Sequence, residues 1–99
     1  MARTVSESSR VVVSREQVST DLGGEVAILN LKGGRYYGLK GVGERIWSLI
    51  QEPKTVEEIR NVIVSEYEVE PDRCKRDLIA LLQSLADEEL VEIRDEHFT

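Results

Sequence analysis

The fold turns on the stretch Glu25-Val26-Ala27-Ile28-Leu29-Asn30-Leu31-Lys32-Gly33-Gly34-Arg35-Tyr36-Tyr37-Gly38-Leu39 and on the change of hydrophobic period just after it. Glu25 to Leu31 is rich in apolar and β-branched residues and reads as a strand. Lys32-Gly33-Gly34 makes a tight turn, because glycine takes positive φ without steric cost. Arg35 to Leu39 is then another strand. Two strands joined by so short a loop are antiparallel neighbours. Directly afterwards the period changes. Val42, Ile46, Leu49 and Ile50 recur at helical spacing, with Trp47 beside Ile46, which predicts a helix over residues 42–51.

Upstream, Arg10-Val11-Val12-Val13-Ser14 is β-branched and reads as a first strand, followed by the turn residues Asp21-Leu22-Gly23-Gly24. The expected sheet is a three-stranded antiparallel meander with the first and third strands at its edges. Downstream, Pro53 closes the first helix, and Thr55-Val56-Glu57-Glu58 is a capping box. Val56, Ile59, Val62 and Ile63 form the apolar face of a second helix ending near Tyr67. Pro71-Asp72 opens a third helix that runs to about Glu88, and Leu90-Val91-Glu92-Ile93 adds a short final strand. Strands segregated from helices make the fold class α+β rather than alternating α/β.

The 99 residues amount to one domain, with residues 1–9 expected as a flexible lead-in, 10–93 as the domain and 94–99 as a polar tail. Hydrophobic residues make up 40% and charged residues 32%, which fits a globular chain. No apolar run approaches the ~20 residues that span a bilayer. Met1 to Glu7 lacks an apolar signal core, so the expected location is the cytoplasm, with no membrane partner. Nineteen acids against 13 lysines and arginines, a formal charge of −6, argue against a nucleic-acid partner held through phosphates.

The inventory of reactive groups is short. Cys74 and His97 are the single cysteine and histidine. A closed zinc site needs four ligands, usually Cys and His, so no metal or other cofactor is expected. A Cys74–His97 nucleophile pair would need a catalytic angle held from a polar tail. Cys74 reads better as a small hydrophobe. Lys32-Gly33-Gly34 does not match a phosphate loop, and Gly38, Gly41 and Gly43 read as turn and cap glycines. The acid pairs Glu57-Glu58 and Glu88-Glu89 read as solvated helix faces. No catalytic constellation emerges, and an enzyme is not expected.

Two features exceed what a plain small domain needs. On the third helix, Leu81, Cys74, Leu85, Leu78, Leu82, Ala86 and Ile79 fill an arc of about 160°, against roughly 100° for an ordinary surface helix. Either the helix packs on several neighbours at once, or one edge of the arc lines a groove for something apolar. The strand Arg35–Leu39 is also weakly guarded: it has no proline or lysine, and its only charge is Arg35. Edges are usually blunted against pairing, and one that is not can accept an added peptide strand.

Gly34-Arg35-Tyr36-Tyr37-Gly38-Leu39, Gly43, Ile46-Trp47 and Pro53-Lys54-Thr55-Val56-Glu57-Glu58-Ile59, in that order, resemble the PqqD family. The family's late helix pattern is similar to Asp77-Leu78, Leu82, Leu85 and Leu90-Val91 here. The resemblance spans roughly residues 10–93. Family members are peptide-recognition elements of pathways that modify ribosomally made peptides.

The resemblance implies a winged helix-turn-helix-like domain, a three-stranded antiparallel sheet followed by three helices. It implies non-catalytic binding of a precursor's leader peptide, which adds a strand at residues 35–39 and docks against the third helix. The candidate peptide-binding residues are then Arg35, Tyr36, Tyr37, Gly38 and Leu39, with Arg73, Cys74, Asp77, Leu78 and Leu81. Tyr36-Tyr37-Gly38-Leu39, Gly43 and Trp47 are most similar to the lasso-peptide members. Those members hand the leader to a separate cysteine peptidase, after which an ATP-using cyclase closes the ring. A peptide chaperone serving a radical SAM enzyme in cofactor biosynthesis is the alternative within the family. Outside it stands a DNA-binding winged-helix regulator using Arg73, Lys75 and Arg76, which Asp72, Asp77 and the net charge oppose.

Overall fold

The computed structural model describes residues 5–95. In chain order the elements are β1 (Ser9–Val13), β2 (Gln17–Asp21), β3 (Glu25–Asn30), β4 (Tyr36–Lys40), α1 (Val42–Leu49), β5 (Lys54–Thr55), α2 (Val56–Glu66), α3 (Pro71–Asp87) and β6 (Val91–Asp95). The class is α+β, with three helices after the main strands. Local signals in the sequence take the expected form. Thr55 Oγ1 accepts from the Glu58 N–H at 3.1 Å, and Glu58 Oε1 accepts from the Thr55 N–H at 2.8 Å. Pro71 opens α3, where no intrahelical N–H is required of it. Gly34 takes φ 68° in the hairpin turn, a conformation that would strain an L side chain.

The sheets differ from the expected meander. One is β2–β3–β4 and the other is β5–β1–β6, all pairs antiparallel. β1 does not join the hairpin; it pairs with β6 along its whole length, from Ser9↔Asp95 to Val13↔Val91. The third strand of the hairpin sheet is instead β2, whose Gln17-Val18-Ser19-Thr20-Asp21 has one apolar residue and no core-facing alternation to reveal it. β2 lies at an edge and is mostly exposed, so burial does not demand an apolar pattern of it.

The lead-in expected over residues 1–9 needs correction over 5–9. Val5 belongs to the buried core, and Ser9 is buried at the start of β1. The Glu7 carbonyl accepts from the Glu57 N–H at 3.1 Å, satisfying an orphan amide in the first turn of α2. Its carboxylate meets Arg60 of α2 and Lys75 of α3. The segment is thus ordered by contacts remote in sequence. Arg94 and Asp95, expected in the tail, belong to β6. Glu96 and His97 lie outside the described residues.

The helices close one core over both sheets. Ile28 and Leu39 from the hairpin sheet, Val11 and Ile93 from the other, and Leu82 and Leu85 from α3 are all buried in it. The wide arc of α3 is explained by this environment. Its centre, Leu78, Leu82 and Leu85, is buried, while Cys74 and Leu81 on one side and Ile79 and Ala86 on the other are half-buried. Glu88 and Glu89 lie past the helix rather than on its face: Glu88 is the C-cap and Glu89 has φ 61°.

Candidate functional site

The ladder of the hairpin sheet decides which backbone groups of β4 are open. The Leu31 N–H donates to Glu16 O and the Leu22 N–H to Glu25 O, which directs Glu25, Ala27 and Leu29 toward β2. The Asn30 N–H donates to Arg35 O, so Asn30, Ile28 and Val26 bond toward β4. Bonding in an antiparallel pair alternates residue by residue. Arg35, Tyr37 and Leu39 therefore turn their backbone groups to β3, and Tyr36, Gly38 and Lys40 turn theirs outward. No described strand pairs with that outer edge.

Side chains alternate in the other dimension. Leu39 is buried and Tyr37 packs partly on the core, whereas Tyr36 is 71% exposed. By register Tyr36 faces Leu29, and Leu29 faces Val18. These three exposed apolar residues form a row across the outward face of the sheet, with Leu31 exposed near its end.

Beside β4 lies a groove of about 550 Å³. At ~30 Å³ per water that is room for more than one side chain. Val42, Gly43 and Ile46 of α1, which starts two residues after β4, make one wall. Gly43 faces Leu39 of β4: a Cβ there would stand 3.4 Å from Leu39 Cδ2, in van der Waals contact. Arg73, Cys74, Asp77, Leu78 and Leu81 of α3 make the other wall, with Ile63 and the Glu68-Val69-Glu70 link between α2 and α3 completing it. All five α3 residues expected from the sequence therefore line one groove, with Cys74 and Leu81 at its half-buried margin. The five β4 residues lie along the neighbouring strand rather than in the lining. β4 packs on α1, while α3 packs on α2 and β6.

The far wall is not legible in the sequence. Ile46 and Ile63 sit on the apolar faces of two separate helices, with nothing to join them to one cavity. Val69 carries a usable signal: it is an apolar residue between two acids, and it is 40% exposed.

The groove is mainly apolar, with the charged Glu68, Glu70, Arg73 and Asp77 among its lining residues. Burial pushes the Cys74 thiol above its ordinary pKa, a shift the Arg60 charge opposes and the Asp77 charge reinforces. A raised thiol pKa leaves little thiolate at neutral pH. Of the basic residues of α3, Arg73 lies 3.9 Å from Asp77 and Lys75 3.4 Å from Glu7, so acids stand beside two of the three charges a phosphate would need. Among the described residues no group of three or more His, Cys, Asp and Glu could hold a metal ion. No described helix is long and apolar enough to cross a membrane.

Comparison with known proteins converges on one family. The model of PqqD, coenzyme PQQ synthesis protein D, matches residues 25–91. A solved structure of TbiB1 in complex with the TbiA(beta) leader peptide is 41% identical, with a TM-score of 0.79, covering 89% of this chain and 99% of that one. A lasso peptide synthetase B1 complexed with the leader peptide is 22% identical, with a TM-score of 0.75, covering 83% of this chain and 96% of that one. The second likeness shows the fold alone. No curated protein matches the chain.

Proposed function

The chain belongs to the PqqD family, and we propose that it is the leader-binding subunit of a lasso-peptide pathway, a recognition protein with no catalytic step of its own. The observation that carries this reading is the open edge of β4 beside an apolar groove. An extended leader would pair with the outward backbone groups of Tyr36, Gly38 and Lys40 and seat alternate side chains between α1 and α3. β2, β5 and β6 are edge strands as well, but none of them runs into α1, which makes one wall of the groove. A ladder bond nets ~1 kcal/mol, so the strand alone binds weakly. Apolar side chains at ~1.5–3 kcal/mol each supply the remaining affinity and most of the selectivity.

The bound leader would then pass to a separate cysteine peptidase, with an ATP-using cyclase acting later. The Val18–Leu29–Tyr36 row supports a peptidase dock on the outward face of the sheet. An added leader strand would extend that face, so a partner resting there could sense whether the leader is present. The TbiB1 structure, 41% identical and holding the TbiA(beta) leader peptide, supports leader binding.

Calorimetry with the TbiA(beta) leader peptide tests the reading. Saturable one-to-one binding is expected, with backbone amide shifts centred on β4 and α3. Tight, salt-sensitive binding of duplex DNA with no response to the peptide would overturn it.

A further inference from the structure

Asn30, at the end of β3, is buried and makes three side-chain hydrogen bonds. Its Oδ1 accepts from the Lys32 N–H at 2.9 Å and the Gly33 N–H at 3.1 Å, which closes the turn into β4. Its Nδ2 donates to Glu88 O at 2.6 Å, 58 residues away at the C-cap of α3. That carbonyl is among those a helix end leaves without an intrahelical partner. The orientation of the amide is dictated by this network, since the opposite one would set its NH2 against two N–H donors. Lys32–Glu89 at 3.4 Å and Arg35–Glu88 at 3.5 Å flank the bond, but both pairs are largely exposed. Exposed pairs contribute little.

Apart from those two ion pairs, the join between the hairpin sheet and the helices is made by apolar burial, through Val26, Ile28 and Leu39. Apolar burial holds surfaces together without setting a direction. A buried hydrogen bond is directional. We propose that Asn30 is a positioning residue: it fixes the angle of the β2–β3–β4 sheet against α3, and so the path from the β4 edge to the groove. This deepens the leader-binding reading and rests on it, because one peptide engaging both surfaces binds well only when their spacing is set beforehand. Asparagine suits the task because a single short side chain must both donate and accept.

Asn30→Asp isolates the role. The ionised carboxylate can still accept from Lys32 and Gly33, but it cannot donate to Glu88. Once protonated it has an O–H to donate to Glu88 and a carbonyl oxygen to accept from Lys32 and Gly33, and can make all three contacts again. Residual dipolar couplings on the full, ligand-free chain report the orientation of sheet amides relative to helix amides. In wild type one alignment tensor should fit both, at neutral and at acidic pH. In Asn30→Asp at neutral pH the sheet should need its own tensor or show reduced order, and acidification should restore the shared one. Affinity for the TbiA(beta) leader peptide should fall about tenfold at neutral pH, or ~1.4 kcal/mol, and recover relative to wild type in acid. A shared tensor in the ionised variant overturns the proposal, as does a change that acid fails to reverse. Lys32→Ala with Arg35→Ala gives a second arm that leaves Asn30 intact. Its sheet should keep the wild-type orientation, and a rotated sheet there would assign the angle to the ion pairs and sink the idea. If wild type ignores the peptide, the leader-binding reading fails, while the couplings still decide the role of Asn30 in setting the angle.

Discussion

Arg45 and Glu66 form a two-pronged ion pair, Nε donating to Oε1 at 2.8 Å and Nη2 to Oε2 at 2.7 Å. It ties α1 to the last turn of α2, next to the groove wall that Val42, Ile46 and Ile63 provide. The hydrogen bonds from Arg45 hold the Glu66 carboxyl below the usual carboxylate range, against a smaller desolvation effect, and the Arg45 guanidinium is raised in turn. A lowered folded-state pKa means the pair stabilises fully above the ordinary carboxylate pKa and is lost as pH falls through the lowered value. Glu66→Gln should therefore melt below wild type at neutral pH, and the two melting curves should converge in acid. A gap that persists unchanged to low pH would show that the pair is not its source.

The ladder register makes β4 testable residue by residue. Gly38→Pro removes an outward N–H and spares the bonds to β3, so the fold should survive. Leader affinity should fall at least about fivefold, the equivalent of one ~1 kcal/mol bond. Tyr37→Pro removes a bond to β3 instead, and should lower the melting temperature of the free protein. Equal leader affinity for wild type and a folded Gly38→Pro would exclude strand addition at this edge.

Leu78 and Leu81 both line the groove, yet they differ in depth. Leu78 is 3% exposed, and Leu78→Ala should cost ~2–5 kcal/mol of stability through the cavity it leaves. Leu81 is half-buried at the margin. Leu81→Asp should spare the fold better and weaken leader binding strongly, because it sets a charge where an apolar side chain docks. Chemical denaturation and calorimetry on the same preparations separate the two effects. Unimpaired binding by Leu81→Asp would move the docking site elsewhere.

Cys74 should prove dispensable for chemistry. Its thiol is raised by burial, the wrong direction for a nucleophile. Cys74→Ala should bind the leader and, with a peptidase partner, still support its cleavage. A variant that binds normally but abolishes turnover would make this chain catalytic.

Salt should matter little. The groove is mainly apolar, and the Arg73–Asp77 pair on its rim is largely exposed. Between low and near-molar salt the leader affinity should change only a few-fold, since screening acts on exposed charges. A steep log–log dependence would point to a charged interface.

What the sequence determined by itself was set within one turn, one helix face or the hairpin around Lys32-Gly33-Gly34. The capping box at Thr55 and Glu58, the Gly34 turn and the helical spacing from Val42 each involve neighbours a few residues apart, so their chemistry is visible in a short window. The apolar arc of α3 was legible for the same reason, and with it the α3 wall of the groove, but the expected absence of a lysine from the strand at Tyr36 does not hold, since β4 runs on to the exposed Lys40. Tertiary structure alone decided the rest. Val11-Val12-Val13 is equally apolar whichever sheet takes it, and its partner β6 lies some eighty residues on. β2 forms because β3 offers it a ladder, not because its own residues favour burial. Which amides of β4 face outward depends on the register between strands, and the span of Asn30 to Glu88 depends on how a sheet and a helix end are brought together. The β1–β6 pairing and the Asn30–Glu88 bond join residues far apart in sequence, which only closure of the shared core makes neighbours, while the hairpin registers rest on ladder bonds that no single strand displays.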